Sequence, residues 1–228
     1  MKPKNVSRRR NHCKQKHMRL NVLAIGDSII EAEEDPMQGW TKRFAQGYAE
    51  KIGLDLNYHN KGQGGAKSSD VLQNLGPALS LEYSWSMIIV GVGVNDSRRT
   101  SELKDGCEVS AKQFKFNLNE ICNRLINSSN ADIVIFSSIL PVVQQKTYPL
   151  KRDKYYTFED TIHYASILEN IMRKYPSINY FNFKDSWLKL PRMTKSKLMP
   201  DGLHPNSDGH EYLANLALQQ IKRIKTLR

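Results

Sequence analysis

"LNVLAIGDS", residues 20–28, decides how the rest of the chain is read. Residues 20–25 are apolar at every position except Asn21, as a strand covered on both faces requires. The run stops abruptly in Gly26, Asp27 and Ser28. Open parallel sheets bind their ligands at the carboxyl ends of their strands. A serine at such an end is either a turn residue or a nucleophile, and what the other strands carry decides which.

The pattern alternates from there. Trp40, Phe44, Tyr48 and Ile52 recur every fourth residue and predict a helix over 40–52. Residues 54–59 read as a short strand. Gly62, Gly64 and Gly65 then form a glycine-rich loop, and Ser68 or Ser69 is placed to cap a helix with Val71, Leu72 and Leu75 inward. Residues 87–90 are a third, continuously apolar strand. Phe114, Leu118, Ile121 and Leu125 mark a helix over 109–126. Residues 133–136 and 178–181 complete the strands, with a helix over 158–175 between them that stops before Pro176. A last helix begins at Asn206, with Leu213, Leu216, Ala217, Ile221 and Ile224 on one face.

Strands separated by helices pair in parallel through right-handed crossovers, with helices on both faces of the sheet. The expectation is one α/β domain over residues 20–228, a three-layer α/β/α arrangement on a five-stranded parallel sheet. The length of 228 residues suits one such domain. The long irregular stretch 137–157, with Tyr148, Tyr155 and Tyr156, reads as a lid or binding loop.

The net charge of +11 resembles a nucleic-acid signal until it is mapped. Eight cations and no acid fall in the first nineteen residues, so the rest of the chain carries only +3. Residues 1–19 are read as a basic, solvated tail, and no nucleic-acid partner is expected for the folded part. No apolar run approaches the roughly 18–20 residues of a membrane span. No secretory signal is evident. Cys13, Cys107 and Cys122 are odd in number and widely spaced, which suggests neither a disulfide framework nor a CxxC metal pair. A cytoplasmic setting is the default expectation, and oligomeric state is unreadable.

Four polar stretches fall at the expected carboxyl ends of strands or just before the last helix: Gly26-Asp27-Ser28, "NKGQGGAKSSD" (60–70), "GVGVNDS" (91–97) and "DGLHP" (201–205). Each is weak alone. Together they supply one chemistry. A serine hydroxyl needs a base to take its proton, and a histidine oriented by a carboxylate is the usual one. Asp201 and His204 are spaced so that one turn brings the carboxylate to the far ring nitrogen. The oxyanion of the tetrahedral intermediate needs donors. A glycine amide at Gly65, the Asn95 side chain and the Ser28 amide can provide them. Ser28 is read as nucleophile, with a helix cap as its bland alternative. His210, on the last helix, is the reserve base. Asp27 and Trp40 are candidates to line the substrate site, although Asp27 also suits a structural hydrogen bond and Trp40 a core position. Tyr148, in the long loop, is a third candidate for substrate contact. Gly91-Val92-Gly93 is not a dinucleotide fingerprint, because Asp96 stands at the third glycine position. Asp96, Asp201 and His204 as metal ligands would leave the serine and the oxyanion donors unexplained.

As a set, these blocks resemble the SGNH/GDSL hydrolase family, over residues 20 to 228. By that resemblance Ser28 is the nucleophile, Gly65 and Asn95 are oxyanion donors, and Asp201 and His204 are the DxxH of the last block. The resemblance implies a flavodoxin-like sheet order and esterase, lipase, thioesterase, deacetylase or acyltransferase chemistry without a cofactor. The first block reads GDSII where GDSL is usual, and Gln63-Gly64-Gly65 leaves Gly64 and Gly65 alternative oxyanion donors. The expected function is hydrolysis of a carboxylic ester or thioester of a small or carbohydrate-like molecule through an acyl-enzyme. Acyl transfer on the same triad and a non-catalytic binding protein are the rival readings.

Overall fold

Strands β1 (Arg19–Gly26), β2 (Asp55–Gly62), β3 (Met87–Gly91), β4 (Ile133–Ser137) and β5 (Asn179–Phe181) form one sheet in the order β2-β1-β3-β4-β5. Every neighbouring pair is parallel, the flavodoxin-like order. The structure is a computed structural model and describes residues 19–80, 84–100, 106–151 and 153–222. The expected basic tail lies outside these residues except for Arg19, which opens β1.

Between the strands run α1 (Ser28–Glu31), α2 (Gly39–Ile52), α3 (Ser68–Leu79), α4 (Ala111–Ser128), α5 (Gln144–Thr147), α6 (Phe158–Met172), α7 (Phe183–Leu188), α8 (Arg192–Leu198) and α9 (Ser207–Ile221). Alternate strand residues point to opposite faces, and the two faces bury different helices. Leu23, Ile25, Ile88, Val90 and Phe136 pack against Val71 and Leu75 of α3, Phe114 and Leu118 of α4, and Leu168 of α6. Val22, Ala24, Met87, Ile89 and Ile135 pack against Phe44 of α2, Trp187 of α7, and Leu213 and Ala217 of α9. Burying each large apolar side chain contributes roughly 1.5–3 kcal/mol.

The structure departs from the sequence reading at several boundaries. β2 runs on to Gly62, through Asn60 and Lys61. It is an edge strand, so one side of its backbone needs no partner and polar residues are tolerated there. Neither Ser68 nor Ser69 caps α3. Lys67 holds the cap position, and the Ser68 amide donates to the Asp96 carboxylate at 3.1 and 3.0 Å. α6 ends at Met172, ahead of the expected 175. The stretch 137–157 contains the short helix α5, and α7 and α8 occupy a segment where the sequence shows no clear periodicity. No helix among the described residues is long and apolar enough to cross a membrane.

A row of three glycines shapes the mouth of the sheet. Gly26 is in register with both Gly62 and Gly91. A Cβ on Gly26 would lie 2.0 Å from the Gly91 carbonyl oxygen, and one on Gly62 would lie 2.2 Å from the Glu31 nitrogen. One on Gly91 would meet Ile30 Cδ1 at 2.6 Å. Only glycine lets α1 lie across the strand ends this closely, and α1 begins with Ser28.

Candidate active site

Ser28 leaves β1 at the first position of α1. Asp27 caps that helix, accepting from the Ile29 amide at 3.0 Å. The Asp27 amide in turn donates to the Gly91 carbonyl at 3.1 Å, so the turn is anchored across to β3. Asp27 is only 3 % exposed. Its burial pushes the carboxyl up to about 7, against the lowering effect of the Ile29 amide and the nearby His204.

His204 reaches Ser28 from the loop before α9. Its Nε2 lies 2.9 Å from Ser28 Oγ, and its Nδ1 lies 2.6 Å from Asp201 Oδ2. The other Asp201 oxygen accepts from the amides of Leu203 at 2.9 Å and His204 at 2.7 Å. Burial alone would raise the Asp201 carboxyl. The hydrogen bonds from the imidazole and the two amides outweigh it and hold the group at about 2. A carboxylate on Nδ1 selects the tautomer whose Nε2 lone pair faces the serine.

Asn95 closes the third side and is 2 % exposed. Its Nδ2 donates to the Ala66 carbonyl at 3.0 Å, and its Oδ1 accepts from the Tyr156 hydroxyl at 2.8 Å. Opposite partners on the two ends of the amide fix which end is nitrogen. Asp96 next to it holds the Ser68 amide and hydroxyl, and the Asn117 amide donates to the same Ser68 hydroxyl at 2.9 Å. The glycine loop is thereby tied to the β3 loop twice, at Ala66 and at Ser68. Within it the Ala66 amide donates to the Gln63 carbonyl at 3.0 Å. Gly65 sits at the third position of that turn with φ +77°, a conformation that favours glycine.

Ser28, Gly64, Gly65, Asn95, Asp201 and His204 all face one cleft of about 710 Å³. Both glycines reach it, so both remain candidates. One wall is acidic, with Glu31, Glu33, Glu34 and Asp35, and the other carries Arg98, Lys151 and Lys154. The acidic wall is pinned: Asp35 accepts from Arg43 and from the Gly39 amide at 2.8 Å, and Arg43 also donates to Ser207 at 2.7 Å. Burial would raise the Asp35 carboxyl, but Arg43 and the Gly39 amide bring it down to about 2.

Three expected substrate contacts lie outside the lining of this cleft. Trp40 is 1 % exposed and packs edge-on against Phe183, ring centroids 5.0 Å apart, in the core beneath α2. Its size and the apolar neighbours of a helix-start position put it there rather than on the cleft wall. Tyr148 lies half-buried against Tyr155, centroids 5.3 Å apart, outside the cleft lining. Asp27 is turned inward as a helix cap. The reserve base His210 is 3 % exposed and accepts the Trp40 amide at 3.2 Å. Its burial brings the imidazole down to about 4, and it makes no hydrogen bond to Ser28.

The sequence reading placed Tyr156 in a binding loop without joining it to Asn95, and it missed Arg98 and the acidic wall. No motif marks Tyr156, which lies 61 residues from Asn95. Among the described residues no group of three or more His, Cys, Asp and Glu is placed to hold a metal ion.

Comparison with known proteins agrees with the fold. The chain is similar in fold to a lipase/acylhydrolase from Enterococcus faecalis, at TM-score 0.69 and 18% identity, over 92% of this chain and 100% of that one. It is similar to the acetylxylan esterase Axe2 from Geobacillus stearothermophilus, at TM-score 0.68 and 18% identity over 91% and 96% of the two chains. The psychrotrophic esterase EstA from Pseudoalteromonas sp., in a monoethylphosphonate-inhibited form, aligns at TM-score 0.63 and 21% identity over 90% and 97%. Curated proteins give no match. The GDSL-like Lipase/Acylhydrolase family matches residues 24–212, most of the sequence, and the chain belongs to that family.

Proposed function

We propose that the protein is a serine esterase that releases a short acyl group from a small polar alcohol or thiol through an acyl-enzyme on Ser28. The observation that carries this reading is the unbroken line from Asp201 through His204 to Ser28, at 2.6 and 2.9 Å. His204 Nε2 takes the proton of Ser28 as Oγ attacks the acyl carbon. The positive imidazolium is stabilised by Asp201, which stays ionised above about pH 2.

The negative oxygen that forms needs fixed donors. An amide NH2 has two hydrogens. One Asn95 hydrogen is spent on Ala66, and the other is available to the cleft. The amides of Ser28 and Gly65 complete the set. His204 then gives its proton to the leaving oxygen or sulfur, and water enters to repeat the steps on the acyl-enzyme.

The substrate class follows from the walls. The void behind α1, lined by Ile29, Ile30, Val92 and Ile139, is about 20 Å³. That is little more than one water, too small for an alkyl tail. The open cleft has charged walls and suits a polar, carbohydrate-like leaving group.

The test is hydrolysis of p-nitrophenyl esters from acetate to decanoate, wild type beside Ser28→Ala. Turnover highest on acetate, lost by about 10⁴-fold or more in the variant, with free acid as product, is the expected result. Undiminished turnover in Ser28→Ala overturns the nucleophile. A preference for decanoate overturns the short acyl group, and recovery of transferred ester in place of acid overturns hydrolysis.

A further inference from the structure

Tyr156 is held more firmly than a wall residue needs to be. It is 1 % exposed. Its amide donates to the Thr147 carbonyl at 2.9 Å, and Thr147 Oγ1 donates back to the Tyr156 carbonyl at 2.9 Å. One residue earlier, Tyr155 exchanges backbone hydrogen bonds with Arg99 at 2.9 and 3.0 Å. The segment after α5 is therefore fastened both to α5 and to the loop after β3. That fastening delivers one polar atom, the Tyr156 hydroxyl, to Asn95 Oδ1 at 2.8 Å.

The hydroxyl does not act alone. The positive charge of Arg98, which lines the same cleft, bears on it. Arg98 is fixed in turn by Glu108, which accepts from its Nε and from Nη2 at 2.8 Å. Glu108 is also paired with Lys67 at 3.2 Å. The line runs from the charge of a guanidinium, through a phenol, to the oxygen end of a carboxamide on a residue that lines the cleft.

Hydrogen bonds in such a chain polarise one another. A donor on an amide oxygen draws electron density from the nitrogen and makes the remaining N–H a better donor. It also prevents the amide from turning its oxygen towards a developing negative charge.

We propose that Tyr156, backed by Arg98, is a positioning residue that orients and polarises the Asn95 amide for the tetrahedral intermediate. This rests on Asn95 being an oxyanion donor, as in the reading above. Because the hydroxyl acts through Asn95, its contribution belongs to the transition state and vanishes when Asn95 is gone.

The experiment is a double-mutant cycle on p-nitrophenyl acetate with Tyr156→Phe, Asn95→Ala and both together. Rates are expressed per serine labelled by a fluorophosphonate, so that unfolded protein is not counted. Tyr156→Phe keeps the buried ring and removes only the hydroxyl. The expected result is a fall in kcat of about tenfold with KM changed by less than about twofold, the range seen when an outer partner of a functional group is removed. In the Asn95→Ala background the same change should cost less than about twofold, because interacting residues are not additive. Should Tyr156→Phe fail to fold, Arg98→Gln is read in the same cycle, with the same loss in kcat confined to the Asn95 background. Full kcat in Tyr156→Phe beside a slow Asn95→Ala overturns the proposal and leaves the oxyanion reading standing. Losses that multiply also overturn it, since they mark a merely structural tyrosine. Full kcat in Asn95→Ala overturns the oxyanion reading, and the proposal with it.

Discussion

The Trp40 amide donates to His210 Nδ1 at 3.2 Å, so the helix that buries Trp40 is tied at its start to a neutral imidazole on α9. Protonation of Nδ1 would remove the acceptor and place a charge in the core. Burial lowers the His210 pKa to about 4, from an ordinary value of 6.5. The sign follows from linkage: between these two values the unfolded chain holds more protons than the folded one. The stability that His210 contributes is complete above pH 6.5 and is lost as the pH falls through 4. His210→Asn keeps an acceptor in the same place and cannot titrate. The variant should be less stable than wild type at pH 7.5, and the gap should narrow steadily towards pH 4, as followed by thermal unfolding. A gap independent of pH would show that His210 does not titrate with folding.

Asp27 acts in the opposite direction. Burial raises its pKa from 3.8 to about 7, so the folded state holds the proton more tightly than the unfolded chain. Its contribution is complete below pH 3.8 and is lost as the pH rises through 7. Asp96, raised to about 6 by burial, adds to the same trend. Asparagine caps a helix as well as aspartate does. Asp27→Asn should therefore match wild type near pH 4 and exceed it in melting temperature at pH 8. Equal melting temperatures at pH 8 would mean that the Asp27 carboxyl ionises at no cost in its buried seat.

The glycine row makes a steric prediction. An added Cβ at Gly26 meets the Gly91 carbonyl oxygen at 2.0 Å, and a backbone atom in the centre of a sheet has little room to withdraw. Gly26→Ala should lower stability by about 1–3 kcal/mol or more, the cost of overpacking. It should also slow turnover, because the Ser28 turn hangs on the Asp27–Gly91 hydrogen bond next to it. Denaturant melts and ester assays on the same preparation check both. Wild-type values in both would show that the seat of α1 is slack.

The parts of this architecture that the sequence announces are those set by short-range physics. The apolar runs of β1, β3 and β4 are legible because both faces of those strands are covered. Asp201 and His204 are legible because three residues of chain are enough to join them. β2 is harder to read to its end, since an edge strand can carry Asn60 and Lys61. The first amide of α3, at Ser68, is held by Asp96, which lies 28 residues away, where no local pattern can reveal it. The contact of Tyr156 with Asn95, 61 residues away, is invisible for the same reason. Trp40 shows the limit of residue type as a guide: an aromatic beside a candidate cleft is equally at home in the core, and only packing against Phe183 and Phe44 decides.

Asp201 carries the last prediction. Its Oδ1 is occupied by two backbone amides and its Oδ2 by His204 Nδ1. In Asp201→Asn the oxygen can keep the amides, and the new NH2 then faces Nδ1. A donor against Nδ1 makes that nitrogen the acceptor and puts the proton on Nε2, which points at Ser28 Oγ from 2.9 Å. His204 is then in the wrong tautomer to take the serine proton. A fall in kcat on the order of 10⁴ is expected, as when a triad carboxylate is replaced by its amide. Stability should change little, because Asp201 is exposed and its backbone hydrogen bonds survive. Ester turnover and melting temperature, measured together, separate the two effects. Turnover within tenfold of wild type would mean that the carboxylate does not set the tautomer, and that the close Asp201–His204 contact serves the loop rather than the chemistry.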